Sequence, residues 1–196
     1  MKTLGIIGGI GPESTIEYYQ LIIARYRELR PDGSYPPIII NSINLQKYID
    51  FANEGRFGEF VDPLVSESQK LKRAGADFGL LAANTPHIVF DEIQRRSPIP
   101  LISIVEATRE AAKKLGLNRL GLFGTRFTMQ AKFYPETFAR AGMTLVLPNG
   151  EEQDYIHEKY MGELLKGIIL PETRERLLAI VERMKRDEGI QGLILG

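Results

Sequence analysis

The sequence predicts an α/β fold of two pseudo-symmetric lobes, each a mainly parallel sheet flanked by helices. Three observations carry that expectation. Short runs of Ile, Leu and Val alternate with longer stretches of helical period, the pattern of parallel strands joined by crossover helices. Two of these runs end in glycine turns that lead into helices, Gly5-Ile6-Ile7-Gly8-Gly9 and Gly121-Leu122-Phe123-Gly124-Thr125. The halves also repeat: Gly8 matches Gly124 and Tyr18 matches Tyr134 at one offset, and Asp77–Ala82 overlays Gln191–Gly196 at nearly the same one. A near-constant offset with the same order of elements points to a duplicated αβ unit. The expected lobes are 1–103 and 104–196, with the ligand site in a cleft between the carboxyl ends of their strands.

Taken in order, Thr3–Ile7 is the first strand. Ser14-Thr15-Ile16-Glu17 has the spacing of a capping box, opening a helix with Ile16, Tyr19, Ile23 and Tyr26 on one face. Ile38–Asn41 is the second strand, and Asp62-Pro63 reads as the cap and first-turn proline of a helix running to Arg73. Gly79–Ala82 follows as a buried strand, then Leu101–Ile104 after the linker-like Ser97-Pro98-Ile99-Pro100. Leu120–Phe123 and Thr144–Leu147 open the second half. Pro171 starts the helix Glu172–Arg186, and Gly192–Leu195 is a last, central buried strand.

Composition removes several classes of function. The 196 residues suffice for one large or two small domains. Lys plus Arg and Asp plus Glu both number 25, so no net charge draws the chain to nucleic acid or to an anionic membrane. No apolar run approaches the roughly 18 residues of a membrane span. The N-terminus enters a strand at once, without a signal peptide's apolar region and cleavage site. Cysteine is absent and there are only two histidines, which removes disulfides, thiolate metal sites and a histidine-rich metal centre. The expectation is a cytoplasmic protein with no metal, whose partner is a small molecule.

Polar groups gather at strand ends. Leu80-Leu81-Ala82-Ala83-Asn84-Thr85-Pro86-His87 is a buried strand that stops on an amide, a hydroxyl and an imidazole, where open α/β sheets place ligands. His87 is a candidate for relaying a proton, or a structural ring that bonds a backbone carbonyl. Gly8-Gly9-Ile10-Gly11 invites a dinucleotide reading, but Ser14 replaces the last small residue of that fingerprint. The second strand also ends on Asn41-Ser42, without an acidic residue for a ribose. The turn fits a carboxylate received by backbone N–H groups, or glycines needed only for their dihedral angles. Thr125 and Thr128 put two hydroxyls at one helix start, as ligand contacts or as ordinary caps. Lys47 and Lys166 are candidate carboxylate anchors, with surface lysine as the alternative. His157, among Glu151, Glu152 and Glu158, reads as a surface residue.

Five segments in this order and spacing resemble the aspartate/glutamate racemase family, on its aspartate-racemase side. They are Gly5–Thr15, Asn41-Ser42-Ile43-Asn44, Ala83-Asn84-Thr85-Pro86-His87, Gly124-Thr125-Arg126-Phe127-Thr128-Met129 and Glu163-Leu164-Leu165-Lys166-Gly167. The resemblance covers the whole chain. It implies cofactor-independent racemisation of an acidic amino acid by a homodimeric enzyme, without pyridoxal phosphate. One group removes the α-proton and a second returns one to the opposite face. By the same resemblance Asn84 and Thr85 hold the substrate's α-carboxylate or amine near the first lobe, and Thr125 and Thr128 do so near the second. Gly8, Gly9 and Ile10 line the floor, and Lys47 and Lys166 match positions near which relatives place side-chain carboxylate anchors.

The resemblance also exposes a departure. The family's acid/base groups are cysteines, because a thiol titrates close enough to neutrality to act as base and acid. Ala83 occupies the first cysteine's position, and the second falls just after Gly196. The expectation is a natural protein that continues beyond Gly196. On the Ala83 side a substitute is expected from Thr85, His87 or a water between them. The alternatives are a racemase-like protein that binds a dicarboxylate or amino acid without turnover, and another small-acid isomerase or decarboxylase on the same fold.

Overall fold

Seven strands form where apolar runs predicted them, and every strand pairing is parallel. A computed structural model describes residues 1–196, which divide into two compact units, Met1–Ile104 and Val105–Gly196.

The first unit contains β1 (Leu4–Gly8), α1 (Pro12–Leu29), β2 (Ile38–Ser42), α2 (Gln46–Asn53), α3 (Val61–Arg73), β3 (Phe78–Leu81), α4 (Phe90–Arg96) and β4 (Leu101–Ile102). The strand order is β2-β1-β3-β4. β1 is fully buried because it is paired on both edges and covered on both faces, which is why it reads as an unbroken apolar run. Leu4, Ile6, Leu80 and Ala82 form a core cluster against which Tyr18 and Ile22 of α1 pack.

Two local expectations change. The helix α1 starts at Pro12 with Gly11 as its cap, so Ser14-Thr15-Ile16-Glu17 lies inside the first turns and forms no capping box. That start turns Thr15, Tyr18 and Ile22 toward the sheet and leaves Ile16 and Tyr19 exposed, at 58% and 45%. The helix α3 likewise starts before Asp62-Pro63, at Val61, after a 3-10 turn over Phe57–Phe60. Its buried face is Val61, Leu64, Val65, Ser68 and Leu71, a helical spacing that an Asp62 start leaves unchanged.

The second unit contains most of α5 (Ile104–Lys114), then β5 (Arg119–Phe123), α6 (Arg126–Gln130), α7 (Phe133–Ala139), β6 (Thr144–Val146), α8 (Gly150–Gly162), α9 (Pro171–Glu188) and β7 (Gly192–Leu195). Its order is β6-β5-β7, so β7 is an edge strand and not the central one expected. On this strand Leu195 is 79% exposed while Ile194 beside it is buried. The core here is Phe123, Met129, Ile156, Ile180, Met184 and Ile190. Asn149 and Glu152 form a reciprocal capping box that starts α8.

The internal repeat survives at the level of single hydrogen bonds. Ile7 pairs with Leu81 in the first sheet, and its counterpart Phe123 pairs with Leu195 in the second. Just past each pair, the N–H of Ala82 donates to the carbonyl of Ile7 (2.9 Å) and that of Gly196 to the carbonyl of Phe123 (2.6 Å). Ala82 and Gly196 therefore hold equivalent places in the two units.

Candidate active site

In the first unit the carboxyl ends of β1 and β3 lie side by side. Gly8 and Gly9 need to be glycine. A Cβ on Gly8 would lie 2.4 Å from the Thr15 methyl, and one on Gly9, whose φ is +79°, would lie 2.4 Å from the Ile43 carbonyl. The turn satisfies much of its own polarity: Thr15 Oγ1 accepts from the Gly9 N–H (3.0 Å) and donates to the Gly11 carbonyl (3.1 Å). Ile10 is buried beside them. Ser14, which the capping-box spacing disguised, donates to the Gly11 and Ala82 carbonyls (2.8 and 2.9 Å) and so ties the start of α1 to the end of β3.

Beyond Ala82 the chain enters a 3-10 turn over Thr85–Val89, with Asn84 at its start. Ala83, Asn84 and Thr85 are half-buried, and His87 is buried at 4% exposure. The Ile104 N–H donates to His87 Nε2 (3.2 Å), which places the ring proton on Nδ1, where it donates to the Ala83 carbonyl (3.0 Å). The ring stacks on Phe90 at 4.8 Å and 3°. Burial pushes this imidazole down to about 4, against the opposing effect of its backbone bonds at Ala83 and Asn84. His87 is thus a neutral brace behind Ala83, with both nitrogens engaged.

Lys47 is exposed, its ammonium 5.5 Å from the centre of the Phe51 ring. Nearby, Asn41 donates to Glu67 (2.6 Å), and Lys70 pairs with the other carboxylate oxygen (2.8 Å). These bonds fix the end of β2, a role that no sequence spacing announced.

In the second unit Thr125 caps α6, its Oγ1 accepting from the Thr128 N–H at 3.2 Å. The two threonine oxygens are 3.2 Å apart, and the residues are 7% and 1% exposed. Gly124 must be small here, because its Cβ would lie 2.8 Å from the Gly196 carbonyl. The strand end at Gly196 therefore lies against the Thr125–Thr128 turn. His157 is half-buried rather than on the surface: its Nδ1 accepts from the Arg126 N–H (3.2 Å) and its ring meets the edge of Phe127 at 5.6 Å. Lys166 is exposed, in the short 3-10 turn Leu164–Lys166. Just before it, Glu163 pairs with Lys159 and accepts from buried Thr173 (2.6 Å), anchoring that turn to α9.

No group of three or more His, Asp or Glu side chains is arranged to hold a metal ion. No helix is long and apolar enough to cross a membrane.

Residues 7–196 match the family model for Asp/Glu/Hydantoin racemase. The chain belongs to that family. It is 27% identical over 169 residues to the broad-specificity amino-acid racemase RacX of Bacillus subtilis, covering 85% of this chain and 69% of that protein. An aspartate racemase homologue from Pyrococcus horikoshii is 39% identical with a TM-score of 0.82, over all of this chain and 85% of the other. A candidate Asp/Glu racemase from Yersinia pestis is 30% identical with a TM-score of 0.88, at the same coverage. These relatives support a racemase-type activity on amino acids, and the α/β architecture with parallel sheets matches theirs.

Proposed function

We propose that this family member racemises an acidic amino acid, aspartate, glutamate or a similar one, without a cofactor. The reaction removes and returns a proton at Cα. A carbanion-like state at that carbon needs fixed donors around the carboxylate and a site closed to water. The observation that carries the reading is the braced end of β3, where Ser14 and His87 hold the Ala82 and Ala83 carbonyls and present Asn84 and Thr85. Asn84 and Thr85 bind the α-carboxylate or amine on the first unit, with Gly8, Gly9 and Ile10 beneath them. Thr125 and Thr128 bind on the second unit, and Lys47 and Lys166 meet the side-chain carboxylate. On the Ala83 side Thr85 holds a hydroxide from solvent that takes the α-proton and becomes water, and the reverse step returns the proton. His87 supports it through the Ala83 carbonyl, since protonation of Nε2 would break the bond from Ile104. The homodimer and the cytoplasmic location belong to the same reading, and sedimentation tests the first.

The methyl group of Ala83 favours a second reading, in which the chain binds a dicarboxylate or amino acid without turnover. Incubation of the L and D forms of aspartate and glutamate in deuterated water separates the two. Loss of the α-proton signal from at least one enantiomer is expected. Saturable binding by calorimetry with no exchange moves the conclusion to binding alone, and neither exchange nor binding overturns both.

A further inference from the structure

We infer that His157 is a positioning residue for the Thr125–Thr128 turn, and that it works only as the neutral imidazole. The inference rests on the proposed substrate role of that turn. Three features of the second unit converge on it. First, Thr125 spends its hydroxyl oxygen on the Thr128 N–H, so the cap leaves the first amide of α6, that of Arg126, without help from the turn itself. Second, that amide is taken by His157 Nδ1 from the separate helix α8, at 3.2 Å. Third, the ring packs edge-to-face with Phe127 (5.6 Å, 82°), and Ile156 beside it belongs to the core of the unit. A ring clamped in this way sets where the turn's backbone lies, and with it the two buried hydroxyls of Thr125 and Thr128.

An acceptor nitrogen is lost on protonation, when Nδ1 would present a hydrogen to the Arg126 N–H. The charged groups acting on the ring are Arg126 on α6 and Asp154 and Glu158 on α8. Burial lowers the imidazole's pKa, Arg126 adds to that, and the two carboxylates oppose both. Arg126 and Asp154 also pair with each other (2.8 Å), which ties the same two helices through their side chains. The ring therefore accepts the amide fully above its ordinary value of 6.5 and gives it up as the pH falls below that value.

Asparagine at this position places Oδ1 where Nδ1 lies and cannot titrate, whereas leucine removes the acceptor. The test compares the full chain with His157→Asn and His157→Leu by amide hydrogen exchange at Arg126 and by kinetics with L-aspartate and L-glutamate between pH 5 and pH 8. Thermal melts show that each variant is folded. The expected result is exchange at Arg126 about tenfold faster in the leucine variant, with KM raised roughly three- to tenfold and kcat little changed, the range of one net hydrogen bond. The asparagine variant should keep wild-type protection and lose the acid limb of the KM profile. Equal Arg126 exchange in wild type and the leucine variant, or an asparagine variant as impaired as the leucine one, overturns the inference. Wild type without α-proton exchange on either amino acid overturns the proposed function instead, while amide exchange still judges the role of His157.

Discussion

The turns that follow β1 and β5 occupy equivalent places in the repeat, yet they are built in opposite ways. After β1 the chain takes a positive φ at Gly9, and a Cβ there would collide with the Ile43 backbone and the Ser42 hydroxyl. The turn's N–H is then satisfied from within α1, by Thr15. After β5 the equivalent residue is Thr125, in an ordinary extended conformation, and its side chain does the capping. A neutral histidine braces each unit, but His87 is buried behind the end of β3, whereas His157 reaches in from a neighbouring helix to an amide of the turn itself. The lesson is that duplication preserved the strand register and let the chemistry of the turns diverge.

The largest effect expected from disturbing this comparison is chemical. Ala83→Cys places a thiol at the half-buried strand end of the first unit, on the face where the proposed reaction lacks a side-chain base. Deuterium incorporation into aspartate or glutamate should rise by roughly 100-fold or more. An unchanged rate would mean that the methyl of Ala83 is not what limits proton transfer on that side.

Next comes the asymmetry of the turns. Gly9→Ala should cost about 3 kcal/mol or more, from a left-handed backbone and a clash with the Ile43 carbonyl. Thr125→Ala at the equivalent position should cost only about 1 kcal/mol, the loss of one cap. Urea unfolding measures both, and similar costs would remove the distinction drawn between the turns.

The histidine of the first unit gives a pH signature of comparable size. Its folded value of about 4 lies below the ordinary 6.5, so the unfolded chain takes up the proton first. The stabilisation is fully present above pH 6.5 and lost as the pH falls toward 4, by about 3 kcal/mol in all. Unfolding titrations across that range should show the loss, and His87→Phe should flatten it while lowering stability at neutral pH. A wild-type stability that stays level down to pH 4 would contradict the buried, neutral ring.

Much of the fold was legible because parallel strands buried on both faces must be apolar throughout, and glycine turns punctuate them. Ile7 could be matched with Phe123, and Leu81 with Leu195, from spacing alone, since a duplicated unit repeats its side-chain pattern. Helix starts were less legible. Ser14 to Glu17 has capping-box spacing, but the cap is Gly11, because Pro12 can open a helix and the tight β1 turn delivers the chain there. The site was read as a set of strand ends, and its supports were missed. Ser14, Glu67 and His157 each act across a long gap in sequence, where no spacing rule applies.

Residue type and spacing were enough for the architecture, the repeat and the residues at the strand ends, including the methyl group at Ala83, because burial and turn geometry act locally on residue type. How those ends are held came from packing between distant segments. The structure showed that His87 spends both nitrogens on backbone, that His157 props a turn from another helix, and that β7 lies at a sheet edge. Hydrogen bonds between distant segments depend on where packing brings them, and the residue type of either partner does not say so.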